Sequence, residues 1–490
     1  MYVATKFFYF FSFILVFLTK QLQAQAPDTM WTKTFGGSNI DVGYCVQETI
    51  DSGFIITGYT RSYGVASGRN VWLVKTDLSG EEEWNNTFGG NDDDEGYSVQ
   101  QTADSGYVIV GYTKSFGAGS NDVFLIKTDE SGNELWSKTF GGNQDDEGYS
   151  VVIARDSGFV IAGVTSSFGA GSRDVWLIKT DKYGNEVWNK TFGGLSSDGA
   201  WFVQKTFDDG FIITGWTFSN GPGFLGNVFL IKTDSLGNQE WNNFFGGTDV
   251  DRGYCVQQTA DSGYIIAGYT GSFGAGLYDM LLIKTDESGN ELWEKTFGGA
   301  GRDYGYSVDK TSNGGFIITG YTVSFGAGGD DLWIVKTDAD GNEEWSNTYG
   351  GSSSDVGYYI KETSDGGYIV TGHTLSFGAG LHDIWLIRIE SSVTAIELQS
   401  NIITHYLYNN FPNPFNPSTK IKFSILQKEN VSLKIYNILG KEVAALINND
   451  LMGEGKHQVE FDASGLNSGV YFYTIEAGNY RETKKMILMK

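Results

Sequence analysis

The chain has 490 residues, more than one hydrophobic core usually holds, so a repeat array or several domains are expected. Its 67 Gly, 27 Tyr and 13 Trp against only five Pro are typical of an all-β protein dense in tight turns. The formal net charge is −25, and residues 27–400 carry 22 Lys and Arg against 51 Asp and Glu. This acidic surface argues against nucleic acid as a partner, because no basic patch is available to neutralise phosphates.

Residues 1–24 have the pattern of a secretory signal peptide. Lys6 supplies a positive charge, and Phe7–Leu18 is apolar apart from Ser12. Twelve such residues are too few to span a bilayer. We therefore expect export through the periplasm, cleavage after Ala24 and no transmembrane segment in the mature chain.

A unit of about fifty residues recurs seven times between residues 31 and 390. Its opening Trp returns every 52 or 53 residues, which indicates one supersecondary unit copied along a stack or around an axis. Each copy predicts four strands, joined alternately by short turns rich in Asp, Asn and Gly and by longer loops. Both long loops of a copy should therefore lie at the same end of its sheet. The opening residues are Trp31, Trp84, Trp136, Trp188, Trp241, Trp293 and Trp345.

The third strand of each copy is apolar on both faces. In the third copy Val175 and Leu177 lie on one face and Trp176 and Ile178 on the other, so both faces of the sheet should be covered. Four-stranded sheets packed face to face around an axis make a β-propeller, and about fifty residues is a length typical of one blade. The sequence predicts an all-β fold with a seven-bladed β-propeller over residues 25–390, and a solenoid is the alternative.

The seventh copy stops after its third strand, Ile384–Ile389. The missing fourth strand has its match at the other end of the repeat region, in the segment that begins Trp31-Thr-Lys-Thr-Phe-Gly-Gly. We predict that this segment pairs as the outer strand of the last sheet. The ring would then be closed by its own N-terminus, and no long strand edge would be exposed.

The full unit reads W-x-K-T-F-G-G, D-x-G-Y-S, D-S-G-Y-I-I-A-G-Y-T and D-V-W-L-I-K-T-D-x-x-G-N-E-x-W in succession. Over residues 31–390 it resembles the β-propeller repeats of secreted bacterial proteins. The resemblance implies a fold and an extracellular setting, but no single activity.

A second domain is predicted at residues 405–490, after a linker at residues 391–404. Apolar and polar residues alternate at Ile421–Ile425 and at Val431–Ile435, as expected for half-buried strands. About eighty residues with several such strands fit a small Ig-like β-sandwich.

Residues 408–490 closely resemble the C-terminal sorting domain (type A) of the type IX secretion system. The resemblance implies the outer-membrane secretion machinery as a partner and export to the cell surface or the medium. It leaves open whether the domain is cleaved and the remainder anchored. The residues taken as the sorting motif are Pro412, Asn413, Pro414, Phe415, Asn416, Pro417, Gly440, Gly469, Tyr471 and Lys485.

One acid precedes the innermost strand of every copy, and a second polar position precedes every third strand. Both sets should lie at the long-loop end, where crowded carboxylates and carbonyls suit Ca²⁺, the one candidate cofactor. The alternative is that each Asp ties down its own loop by hydrogen bonds, which would explain why every copy has one. The first set, the candidate metal ligands, is Asp41, Asp94, Asp146, Asp198, Asp251, Asp303 and Asp355.

The fourth copy deviates most, and a deviating copy can form a unique pocket in a repetitive ring. It reads Asp198-Gly-Ala-Trp where the other six read Asp-x-Gly-Tyr, and its long loop is also different. Aromatic residues at a loop face can stack on sugar rings or cover a partner surface, and drift with compensating packing is the alternative. The candidate ligand-binding residues are Trp201, Trp216, Phe218, Phe224 and, from the seventh copy, His373.

Cys45 and Cys255 occupy the same position in copies 1 and 5. These copies should be too far apart for a disulfide, so both residues are expected to be buried, inert thiols. No cluster of His and Cys suggests zinc.

Together these features predict an exported surface module that binds or adheres to a glycan or protein ligand. One alternative is a carbohydrate-active enzyme, a glycoside hydrolase or lyase, that uses paired acids on the loop face. No unique acid and base pair stands out, so no catalytic residue is assigned. The other alternative is a purely structural surface protein.

Overall fold

The computed structural model describes residues 26–64, 68–390, 406–407, 410, 415, 417–478 and 480–488, and every regular element in these ranges is a β-strand. The predicted signal peptide and the predicted linker lie outside these ranges. The described residues divide into two compact units, one before and one after the predicted linker.

The first unit consists of seven four-stranded antiparallel sheets, here called sheets 1 to 7 in chain order. The first strands of the sheets are β2 (Asp41–Glu48), β6 (Asp94–Gln101), β10 (Asp146–Ile153), β14 (Asp198–Lys205), β18 (Asp251–Gln258), β22 (Asp303–Lys310) and β26 (Asp355–Glu362). The second strands are β3 (Phe54–Thr60), β7 (Tyr107–Thr113), β11 (Phe159–Thr165), β15 (Phe211–Thr217), β19 (Tyr264–Thr270), β23 (Phe316–Thr322) and β27 (Tyr368–Thr374).

The third strands follow the long loops, and the fourth strands are the outer ones. The third strands are β4 (Asn70–Thr76), β8 (Asp122–Thr128), β12 (Asp174–Thr180), β16 (Asn227–Thr233), β20 (Asp279–Thr285), β24 (Asp331–Thr337) and β28 (Asp383–Ile389). The fourth strands of sheets 1 to 6 are β5 (Glu82–Phe88), β9 (Glu134–Phe140), β13 (Glu186–Phe192), β17 (Gln239–Phe245), β21 (Glu291–Phe297) and β25 (Glu343–Tyr349). Sheet 7 takes its fourth strand, β1 (Thr29–Phe35), from the N-terminal end of the repeat region.

The third strands are buried over their whole length, on both faces. All seven residues of β12 are buried, whereas the outer strand β13 is exposed or half-buried throughout. A strand covered on both faces has no polar side to present, which explains its continuous apolar sequence. The prediction that each sheet is covered on both faces is confirmed.

Apolar side chains fill the gap between every pair of neighbouring sheets, and the same holds between sheets 7 and 1. There, Ile384 and Leu386 pack in one cluster with Trp72. The amide of Asp41 also donates to the carbonyl of His382 at 2.7 Å, and the equivalent bond recurs at the six other boundaries. The seven sheets therefore follow one another in a closed cycle of contacts.

Strand β1 both completes sheet 7 and contacts sheet 1. It pairs antiparallel with β28, from Thr29 opposite Ile389 to Phe35 opposite Ile384. Its Trp31 ring lies 5.9 Å from the ring of Phe54 in sheet 1. The predicted pairing of the N-terminal segment with the last sheet is confirmed.

Every third strand buries one cationic side chain near its end. Lys75 is 3% exposed, donates to the carbonyl of Thr76 at 2.9 Å, and forms ion pairs of 2.9 Å with Asp51 and Glu83. Asp51 lies in the turn between β2 and β3, so the buried lysine ties this turn to the third strand. The equivalent residues are Lys127, Lys179, Lys232, Lys284, Lys336 and Arg388.

The second unit contains two sheets that share one hydrophobic core. The predicted alternation is confirmed, since Ile421, Phe423 and Ile425 are buried, as are Val431 and Leu433. One sheet has the order β29-β30-β33 and the other β32-β31-β34-β35. The strands are β29 (Tyr406–Leu407), β30 (Ser418–Ile425), β31 (Glu429–Asn437), β32 (Glu442–Met452), β33 (Gly455–Asp462), β34 (Gly469–Ala477) and β35 (Tyr480–Leu488).

Candidate functional site: the axial mouth

Seven aromatic side chains, one from each first strand, form a closed ring at the centre of the first unit. Each ring contacts the next, with centroids 4.3 to 5.5 Å apart. A register shift in each first strand, between Gly43 and Cys45 in sheet 1, brings two consecutive side chains to the centre. The members of the aromatic ring are Tyr44, Tyr97, Tyr149, Trp201, Tyr254, Tyr306 and Tyr358.

A cavity of about 360 Å³ lies between the aromatic ring and the next layer of side chains. That layer includes Cys45 and Cys255, which are buried and free, as predicted. Burial raises the pKa of Cys45 to about 11 and that of Cys255 to about 12, so neither is a reactive thiolate at neutral pH. Phe202 and Tyr359 are the large members of the same layer.

On the long-loop side of the aromatic ring, two residues meet at each sheet boundary. One precedes the central Gly or Ala of a first strand, and the other precedes the third strand of the sheet before it. We call these residues the axial mouth. The first-strand set is Val42, Glu95, Glu147, Gly199, Arg252, Tyr304 and Val356, and the facing set is His382, Arg69, Asn121, Arg173, Gly226, Tyr278 and Asp330. Both sets differ from sheet to sheet, although the Asp before each first-strand residue recurs in all seven.

The boundary between sheets 1 and 2 contains an ion pair whose carboxylate is buried. The carboxylate of Glu95, 1% exposed, accepts from the Arg69 guanidinium and from the hydroxyls of Tyr97 and Tyr112 at 3.0 and 2.9 Å. The Arg69 guanidinium also lies 4.8 Å from the centroid of the Tyr59 ring. The chain itself thus satisfies the charge of Glu95.

Glu147 is the second acid of the mouth. Its carboxylate accepts from the Asn121 amide at 2.6 Å and from the Tyr149 hydroxyl. Because Glu95 and Glu147 already have partners within the chain, the arrangement suits a structural wall better than a catalytic acid and base.

The boundary between sheets 4 and 5 has a different character. The Arg252 guanidinium lies 4.7 Å from the Phe218 ring centroid and 5.8 Å from that of Trp216. Its Nη1 is buried and has no hydrogen-bond partner, and the same is true of Trp201 Nε1. A β-carbon on Gly226 would lie 2.5 Å from Arg252 Nη1, so the guanidinium occupies the space that a side chain at Gly226 would take.

The structure brings together three of the predicted ligand-binding residues. Trp201 belongs to the aromatic ring, 5.0 Å from Trp216, and Phe218 lies beside them over Arg252. Trp216 is only 8% exposed, and a β-carbon on Gly199 would lie 2.2 Å from its ring. Trp216 is therefore mainly a packing residue, whose large ring fits because sheet 4 has glycine where other sheets carry longer side chains.

The other two predicted residues lie apart. Phe224 is 95% exposed on the long loop of sheet 4. His373 lies in sheet 7, where its ring contacts those of His382 at 4.5 Å and Tyr358 at 5.6 Å. Burial, with His382 nearby, lowers the pKa of His373 to about 3, so the ring is neutral, and its Nδ1 has no partner.

The seven recurring Asp residues are buried at the long-loop end of their sheets. Asp41 accepts from the Thr60 hydroxyl, from the Ser62 hydroxyl at 2.6 Å and from the amide of Gly37 at 2.9 Å. The Ser hydroxyl and Gly amide bonds recur in all seven sheets. These are the contacts of the capping interpretation.

The geometry gives the calcium prediction no support. The Asp41 carboxylate already accepts from four donors, which leaves little capacity for a cation that takes six to eight oxygens. Within the ranges that the structure covers, no three His, Cys, Asp or Glu side chains are placed to hold a metal ion.

In the second unit, the residues of the predicted sorting motif support the fold. Phe415 is 2% exposed, and its amide donates to the carbonyl of Ile487 at 2.9 Å. The Tyr471 hydroxyl donates to the carbonyl of Asn467 at 2.8 Å. Gly440 has φ of +74° in the turn between β31 and β32, Gly469 begins β34, and Pro417 and Lys485 are exposed. Pro412, Asn413, Pro414 and Asn416 lie outside the described residues.

The sequence alone does not single out Arg252, Glu95 or Glu147 as members of a site. The available signal was the variable residue of Asp-x-Gly-Tyr, which changes between copies while its neighbours recur. That signal does not reveal a site by itself, because the two mouth residues at each boundary come from different copies and meet only when neighbouring sheets pack.

Residues 409–489 match the family described as the secretion system C-terminal sorting domain. This match confirms the type IX sorting domain inferred from the sequence. The sorting tail indicates secretion to the cell surface or extracellular space, and implies interaction with the type IX machinery. Across the described ranges, no helix has the length and apolar character needed to cross a membrane.

The remaining comparisons are distant. Over 145 residues the chain is 26% identical to the regulatory protein FlaEY of Caulobacter vibrioides, a match that covers 26% of this chain and only 15% of that protein. Among solved structures, the chain is similar to Sqt1 from Chaetomium thermophilum, with 10% identity, a TM-score of 0.42 and coverage of 71% of this chain and 82% of that one.

A bifunctional GH43-CE protein of Bacteroides eggerthii has 9% identity and a TM-score of 0.29, with coverage of 95% and 59%. A glycoside hydrolase of family 32 from Bifidobacterium adolescentis has 8% identity and a TM-score of 0.27, with coverage of 94% and 95%. Similarities of this strength carry no conclusion about fold or function.

Proposed function

We propose that this chain is an exported surface module, a seven-bladed β-propeller that binds a glycan or protein ligand at its axial mouth. An Ig-like sorting sandwich at the C-terminal end delivers it. The contacts between sheets 7 and 1 support a closed propeller over an open solenoid, which would keep its first and last repeats apart.

The observation that carries the proposal is where unpaired polar atoms concentrate. Among the described residues of the first unit, eleven buried side-chain nitrogen or oxygen atoms have no hydrogen-bond partner, and six belong to the mouth or the residues that border it. Because buried polar groups are costly without partners, such a concentration favours a surface that a ligand completes. The six are Arg69 Nε, Asn121 Oδ1, Trp201 Nε1, Arg252 Nη1, His373 Nδ1 and His382 Nδ1.

A glycan array combined with protein pull-down from the native cell surface tests the proposal on the full-length protein. Trp201→Tyr should weaken binding of any ligand found, because it removes the indole N–H and restores the residue that the other sheets carry. Leu135→Ala, on an exposed position of β9, is the matched control and should bind as the wild type does. Binding that is unchanged in Trp201→Tyr would contradict a ligand site at the mouth.

The same preparation separates the alternatives. Turnover of a glycan would favour the hydrolase or lyase. Neither binding nor turnover across the array and the pull-down would favour a purely structural protein.

A further inference from the structure

We infer that the side of the mouth between sheets 4 and 5 binds the carboxylate of an acidic sugar, with Arg252 as its counter-charge. This inference rests on the proposed function and names the ligand class of the same site.

An ion pair within the chain shows how a guanidinium at the mouth binds a carboxylate. At the boundary between sheets 1 and 2, the guanidinium of Arg69 lies over the Tyr59 ring and binds the carboxylate of Glu95. At the boundary between sheets 4 and 5, Gly226 stands at the position of Arg69 and Arg252 at the position of Glu95, so the guanidinium comes from the opposite side of the boundary. It again lies against aromatic rings, those of Phe218 and Trp216, but no carboxylate faces it.

The missing carboxylate does not come from elsewhere in the described chain. Among the residues that the structure describes, no ion pair involves Arg252, whereas the other two arginines of the mouth, Arg69 and Arg173, pair with Glu95 and Asp145. Gly226 has φ of +109° and no room for a β-carbon beside Nη1, so the facing position cannot supply an acid. A half-buried cation without an acidic partner is costly, and an external carboxylate would offset that cost with charge-assisted hydrogen bonds.

The surroundings of Arg252 fit a sugar. The Trp201 ring contacts Trp216 and lies 5.5 Å from Tyr254, so aromatic surface adjoins the guanidinium. The unpaired Trp201 Nε1 adds a neutral donor suited to a hydroxyl or ring oxygen. An acidic sugar combines a carboxylate, hydroxyls and an apolar C–H face, and the last of these packs well against aromatic rings.

The negative charge of the first unit narrows the class of ligand further. Residues 27–400 have 29 more acidic than basic side chains, so long-range repulsion opposes a densely charged polyanion. A sugar with one isolated carboxylate pairs with Arg252 at a smaller electrostatic cost. We therefore expect uronate-type sugars to bind better than heavily sulfated or phosphorylated chains.

Ligand-observed NMR tests the inference on the full-length protein, which is titrated with D-glucuronate and, separately, with D-glucose as the neutral probe. The wild type should bind glucuronate saturably and at least tenfold more tightly than glucose. Arg252→Gln should remove that preference, and Arg252→Lys, which keeps the charge but not the planar fork, should retain part of it. Arg302→Gln, an exposed arginine of the next loop, is the control and should behave as the wild type does.

Equal affinity for glucuronate and glucose, or an unchanged preference in Arg252→Gln, would overturn the inference. Thermal midpoints of all variants show whether each is folded, and Arg252→Lys keeps the test open if Arg252→Gln is not. Neutral glycans that bind in a Trp201-dependent way, with no response to glucuronate, would leave the proposed function intact and remove only the ligand class.

Discussion

Asp383 shows that burying one carboxylate at the long-loop end of a sheet costs stability. Its Oδ2 accepts from the amides of Ala379 and Gly380 at 2.8 and 3.0 Å, whereas Oδ1 is buried without a partner. A β-carbon on Gly36 would lie within 3 Å of both Asp383 Oδ1 and Asp41 Oδ2, so two carboxylates face the same small space. Burial, and then the charge of Asp41, raises the pKa of Asp383.

Asp383→Asn should therefore raise the free energy of unfolding by roughly 1 kcal/mol at neutral pH, because it removes a buried charge and keeps the acceptor for the loop amides. The equivalent positions of sheets 1 and 4 already carry Asn70 and Asn227. The folded state holds the Asp383 proton more tightly than the unfolded state does. Protonation of Asp383 therefore favours folding, and this contribution to stability is lost as pH rises. The gain should thus shrink toward about pH 4. Chemical denaturation at pH 7 and pH 4.5 measures both effects.

Asp41→Asn is the matched control for Asp383→Asn. Asp41 accepts four hydrogen bonds, two of them from hydroxyls, so the amide should lower stability at the same pH. A loss of stability in Asp383→Asn would contradict the view that its charge is a burden.

At the scale of one element, β1 decides whether sheet 7 is complete. Removing residues 26–35 would expose the edge of β28 and uncover Phe35's packing partners, including Ile384 and Leu386. The thermal midpoint should fall by about 10 °C or more, since a whole ladder and part of a buried cluster are lost.

A synthetic peptide of residues 26–38, added in trans, provides the control for the β1 deletion. It should restore the midpoint in a concentration-dependent way, because binding to the folded state stabilises it by mass action. Deletion without a change in midpoint would show that β1 is not needed to hold sheet 7.

The strands and their pairing could be predicted because seven copies report the same pattern. Burial on both faces of Val175–Ile178, and the missing fourth strand after Ile389, were both readable from the sequence. The mouth could not be predicted, since it depends on which residues of different copies meet. Gly226 and Arg252 become neighbours only when sheets 4 and 5 are packed, and the size of Trp216 makes sense only beside Gly199.

In the first unit as a whole, the pKa values of two sets of aspartates are shifted in opposite directions. Burial raises the pKa of Asp383 and its equivalents Asp122, Asp174, Asp279 and Asp331. In the short turns, burial acts against bonds from lysine and threonine, but these bonds prevail, and Lys232 and Thr206 lower the pKa of Asp208 to about 2.

The two shifts predict a stability maximum in mild acid, at about pH 4 to 5. The aspartates whose pKa is raised lose their contribution to folding stability as pH rises above the ordinary aspartate pKa. Those whose pKa is lowered lose their contribution as pH falls below it. Partial neutralisation of the net charge of −25 adds to the effect. Thermal midpoints followed by tryptophan fluorescence from pH 2.5 to 8 measure the curve. A midpoint that climbs steadily from pH 5 to pH 8 would contradict this balance.

The partnership of β1 with β28 also constrains how the chain can fold. About 350 positions separate Phe35 from Ile384, so the final ladder forms between segments of very high contact order. During synthesis, β1 is made first but pairs with β28 last, and a truncated chain that lacks β28 leaves β1 unpaired. Assembly of the circle is therefore expected to be a late, rate-limiting event, and incomplete chains should be open to chaperones and proteases.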